Sequence, residues 1–182
     1  MLHRHAGPAV AGSYALGAVT GALTTAAALL VVNGLLSPIP ATLRATAAIA
    51  VVVLLGLRAS GLLCLDLPQR KHQIPRETFT HRPRQSAFRF AFELGTGVRT
   101  YITTTAPYAA AVVLALALPT TPLAAVVAAA AAGLGYGLGR SLVVITQSVR
   151  TAVAVEPPQR WLRSADMIAV AGALAIAIAA LV

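Results

Sequence analysis

Apolar residues run in long uninterrupted blocks along this chain, and the polar residues gather between the blocks rather than alternating within them. Such blocks predict helices, because a strand in a barrel wall would alternate apolar and polar positions. Five blocks, at about 10–32, 45–65, 88–118, 123–145 and 165–182, are long enough to cross a hydrocarbon core, which takes roughly 20 helical residues. Backbone amides in lipid must be paired within their own segment, which again selects helix. The expected fold is an all-α integral membrane protein: one domain over 1–182, with about five transmembrane helices. The first block exceeds the roughly 7–15 apolar residues of a signal sequence, so it is expected to remain as a span.

Composition agrees. The 182 residues are 58% hydrophobic and only 10% charged, whereas a soluble domain is about a quarter charged. The net charge of +9 would suit nucleic acid, but the basic residues lie between apolar blocks and form no single polar face, so no nucleic-acid partner is expected. Their distribution instead sets an orientation. Five spans put the N-terminus, loop 66–89 and loop 148–164 on one side, with Arg4, Arg70, Lys71, Arg76, Arg82, Arg84, Arg89, Arg150, Arg160 and Arg163. The other side carries only Arg44. The positive-inside rule then gives N-in and C-out, with both basic loops in the cytoplasm against anionic headgroups. Lys71 is the single lysine among the 14 basic residues, and Ala, Gly and Val are heavily used. That bias suggests a bacterial chain, hence a bacterial plasma membrane.

The third block is the most informative. A straight helix from Phe88 to Leu118 would be about 45 Å long, against a core about 30 Å thick. The segment is expected to tilt, break or begin at the interface, with Gly95, Gly97 and Pro107 as break points. Glu93, Thr96, Thr100, Thr103 and Pro107 follow alternating steps of three and four and would share one helix face, with Arg99 at its edge. Two readings of that stripe are open. It lines a path or cleft for a polar ligand, or it is a helix interface whose hydroxyls bond back to carbonyls. Arg99 would lie near mid-membrane, and an ionisable group there is a functional candidate. Glu93 is placed to pair with Arg89 one turn earlier.

Arg58 and Arg140 fall inside the second and fourth spans. Each either snorkels to the headgroups or turns inward to join Arg99 in a cationic cluster suited to an anion. Gly133, Gly135, Gly137 and Gly139 give the fourth span two overlapping GxxxG patterns, and Gly17 and Gly21 give the first span one. Lacking bulk, these positions are expected to pack helices closely.

The two halves of the chain show a weak internal repeat, in which Tyr14-Ala15-Leu16-Gly17 resembles Phe92-Glu93-Leu94-Gly95. It suggests two parallel helical hairpins followed by a fifth helix. Around Pro107 the third block also resembles the broken, proline-containing helix of membrane thiol–disulfide electron carriers. Those carriers use paired cysteines, whereas Cys64 is alone here, so the resemblance implies no function for this chain. No nucleophile constellation, P-loop or metal-ligand spacing is present, His72 and His81 being nine apart without a Cys or acid at ligand spacing. No cofactor or metal is expected, and for want of a nucleophile or metal site a membrane-embedded enzyme ranks third among the readings. Two functions fit: an accessory subunit of a membrane complex, or a small permease for an anionic or polar solute using the third helix. Either implies a homo-oligomer or a membrane-protein partner.

Overall fold

A computed structural model describes residues 8–64, 83–97, 105–150 and 159–180. Among them are six α-helices and no strand: α1 Pro8–Leu35, α2 Ala41–Ala59, α3 Pro83–Thr96, α4 Ala106–Leu116, α5 Pro122–Arg150 and α6 Gln159–Ala179. Three stretches are long and apolar enough to cross a bilayer, namely Ala9–Leu35, Ala41–Ala59 and Pro122–Leu142. Two shorter apolar helices, Ala106–Leu116 and Ser164–Ala179, accompany them. Large side chains such as Leu16, Val31, Leu123, Leu142 and Ile168 are exposed, as expected where lipid replaces water as the surrounding medium.

The apolar stretch 88–118 is two helices. α3 ends at Thr96, and Gly97 follows with a left-handed φ of 67°, a conformation only glycine adopts without strain. α4 begins at Ala106 with Pro107 in its first turn, where the missing N–H is no loss. The spacing from Glu93 to Pro107 therefore does not run along one helix, and the single polar stripe expected there is not formed as such. Glu93 and Thr96 belong to α3 and Pro107 to α4, while Arg99, Thr100 and Thr103 lie outside the described residues. So do most of the two basic loops.

The chain forms two compact units. The first contains α3, the N-terminal part of α1 and the C-terminal part of α5. Here α1 and α3 run in the same direction, since Gly17 faces Phe88, Gly21 faces Phe92 and Thr25 reaches Thr96. α5 runs against them: Gly137 abuts Val19, and Arg140, further along, lies near Tyr14. Tyr14, Ala18, Ala87 and Ala91 form the core of this unit.

The second unit contains α2, α4 and α6 with the remaining parts of α1 and α5. Its core is a three-helix seam of Ala48, Val52 and Leu55 from α2, Ala109 and Val113 from α4, and Val170, Ala173 and Ala177 from α6. α4 and α6 run in the same direction, with Asp166 at the start of α4 and Ala179 beside its end. α2 runs the opposite way, Gly56 meeting Val170 at one end and Ala45 sharing a cavity with Ala179 at the other. Alanine dominates both cores, so helix axes approach closely and dispersion between backbones replaces interdigitated bulk.

Candidate functional site

Breaking a helix in an apolar setting frees carbonyls at one end and N–H groups at the other, and each must find a partner. At the end of α3, the Thr25 hydroxyl on α1 donates to the Thr96 carbonyl at 3.0 Å, while Thr96 Oγ1 donates back to the Glu93 carbonyl at 2.8 Å. At the start of α4, the Thr105 side chain makes no cap hydrogen bond to its own helix. Asp166 of α6 serves that end instead. Its Oδ1 accepts from the Ala106 N–H at 2.7 Å, and its Oδ2 accepts from the Thr105 N–H at 3.0 Å and from Thr105 Oγ1. Thr105 is fully buried. A carboxylate at a helix N-terminus also meets the positive end of the helix dipole. The arrangement is thus an N-cap supplied by another helix, and it is full: two oxygens accept from three donors.

In the first unit the glycines act as close-approach positions. A Cβ on Gly17, Gly21 or Gly95 would run into the carbonyl oxygen of Phe88, Phe92 or Ala18, and one on Gly137 would run into the Val19 backbone. Gly133 and Gly137 are buried. Gly135 and Gly139 are exposed, with nothing within 4 Å of the Cβ position, and Ala131 one turn earlier is exposed too. The two GxxxG patterns of α5 therefore divide. One is consumed inside the chain, and the other leaves the small-residue face Ala131–Gly135–Gly139 open.

Arg89 pairs with Glu93 at 3.7 Å, the one-turn contact their spacing predicts; the Arg89 side chain is 76% exposed, so the pair contributes about 0.3–0.5 kcal/mol. Arg140 is half-buried, its guanidinium 5.8 Å from the centre of the Tyr136 ring. The hydroxyls of Tyr14 and Tyr136 are buried without a hydrogen-bond partner. Ser141 donates to the Gly137 carbonyl at 2.7 Å. Arg58 belongs to the second unit, half-buried in the last turn of α2, where a cation suits the helix C-terminus.

The second unit holds a cavity of about 500 Å³ at the end where α2 and α5 begin and α4 and α6 finish. Arg44 lines it and is only 9% exposed, with Nε and Nη1 buried and unbonded. Among the described residues no acid lines this cavity. A guanidinium held there without a counter-charge costs on the order of several kcal/mol.

Asp166 and the Arg44 cavity are absent from the sequence-based candidates. Asp166 carried a usable signal, being an acid at the start of an apolar run. Arg44 was visible only as the lone cation of its side. Among the described residues no three His, Cys, Asp or Glu side chains gather as a metal site.

The fold and these sites define an all-helical protein with helices of membrane-crossing length and apolarity. No protein-family model, curated protein or solved structure matches the chain.

Proposed function

We propose that this chain is an accessory, structural subunit of a membrane complex, held to a partner helix through the open face of α5. The observation that carries this reading is the exposed Ala131–Gly135–Gly139 face, free of contacts at both glycines. In lipid, where no hydrophobic force drives helices together, small residues allow the backbone approach that makes dispersion between helices effective. A monomer gains nothing from such a face, whereas its sister positions Gly133 and Gly137 are already used in internal packing.

The setting is a bacterial plasma membrane, with five spans, the N-terminus inside and the C-terminus outside. Helix directions support this threading. α1 and α3 start, and α5 finishes, at the same end of the first unit, as expected if loops 66–89 and 148–164 share the side of the N-terminus. Within the second unit α6 follows α4 in direction. The basic loops rest on anionic headgroups.

One observation favours the second reading, a small permease for an anionic or polar solute. The third segment is discontinuous, and broken helices recur at transporter binding sites. The discriminating experiment replaces both open glycines, Gly135→Leu and Gly139→Leu, and follows the chain's association in membranes by site-directed cross-linking. Loss of a cross-linked species with unchanged protein level supports the subunit role. An unchanged pattern, together with solute uptake by vesicles holding the chain alone, supports the permease.

A further inference from the structure

A buried guanidinium that no acid among the described residues faces is an unusual thing for a small chain to keep. Arg44 is nine-tenths buried, and its Nε and Nη1 have no hydrogen-bond partner. It lines a cavity of about 500 Å³ together with Thr42, Thr120 and Thr121, a volume in the range of small-molecule sites. Two helices also begin on this cavity. α2 starts at Ala41 behind Pro40, which makes no side-chain cap hydrogen bond, and the Arg44 N–H is the first to bond back, to the Pro40 carbonyl. The N–H groups of Ala41 and Thr42 thus lie at an uncapped, positive helix end. α5 starts at Pro122, with Thr120 and Thr121 just before it on the cavity wall.

The ends of α4 and α6 lie on the same wall, and their partial negative charge eases the burial of a cation. None of their carbonyls bonds Nε or Nη1, however. A full positive charge, two helix N-termini and three threonine hydroxyls outweigh two helix C-termini.

From this we infer that the Arg44 cavity binds a phosphate group, through the guanidinium, the start of α2 and the hydroxyls of Thr42, Thr120 and Thr121. Guanidinium and helix N-terminal amides are the protein groups best matched to a phosphate oxyanion. The phosphate comes from a lipid headgroup or from a soluble phosphate compound. The inference goes beyond the subunit role and does not depend on it.

The test uses the full chain purified in an uncharged maltoside detergent. Thermal unfolding is followed while inorganic phosphate, or short-chain phosphatidylglycerol, is titrated in at constant ionic strength, with chloride as control. A shift with both probes, or with phosphate alone, assigns a soluble phosphate; a shift with the lipid alone assigns a headgroup. Either shift should vanish in Arg44→Met, and affinity should fall about tenfold in Arg44→Lys, which keeps the charge but loses the planar fork. If Arg44→Met does not fold, Thr42→Ala with Thr121→Ala keeps the cation and should weaken binding at least threefold. Equal shifts in the wild type and in these variants, or a chloride shift as large as that with phosphate, would overturn the site.

Discussion

Asp166 satisfies three donors at the start of α4, and it does so from 60 to 61 residues away. Removing its carboxylate strands two backbone N–H groups and the hydroxyl of a buried threonine. At about 1–3 kcal/mol for each unsatisfied buried group, with partial relaxation, Asp166→Ala should destabilise the chain by about 2–4 kcal/mol. Thermal unfolding in detergent checks this, with Asp166→Glu as the variant that keeps the charge. The residue also marks where sequence reading stops. That an acid opens the last apolar run is legible in the sequence. That its acceptors face the start of α4 is not, because the pairing exists only once α4 and α6 run side by side. Arg44 is similar: its charge is legible, but the cavity beside it is assembled from four helix ends.

At the scale of elements, backbone proximity governs packing. Gly21 and Gly95 let α1 and α3 touch at carbonyl distance, whereas Gly12, on the same α1, has nothing within 4 Å. Gly21→Ala should therefore force the helices apart and cost about 1–3 kcal/mol, while Gly12→Ala should be neutral or slightly stabilising, as alanine is the better helix former. Parallel unfolding measurements on the two variants separate the effects. The glycine patterns and the break near Gly97 and Pro107 were readable from local chemistry, since both depend on what a residue lacks. Which GxxxG pattern of α5 turns inward was not readable, because Gly133–Gly137 and Gly135–Gly139 are equivalent until a neighbour selects one.

For the whole molecule, the proposed sidedness rests on the distribution of the arginines between the apolar blocks, and cysteine labelling tests it. Cys64, the single cysteine, is exposed just after α2 and falls on the cytoplasmic side of the proposed threading. A membrane-impermeant maleimide should leave it unmodified in intact cells and label it after permeabilisation. In a Cys64→Ser background, Ser37→Cys, in the α1–α2 turn, should label in intact cells. The reverse pattern would invert the orientation.

The most direct measurement of the subunit role is affinity purification of the tagged chain from its native membrane in mild detergent, with the composition of the recovered complex quantified by mass spectrometry. A subunit brings a second membrane protein in fixed stoichiometry, and that protein is lost when Gly135 and Gly139 are both replaced by leucine. Recovery of the chain alone, with the same oligomeric state in the wild type and the double variant, would contradict it.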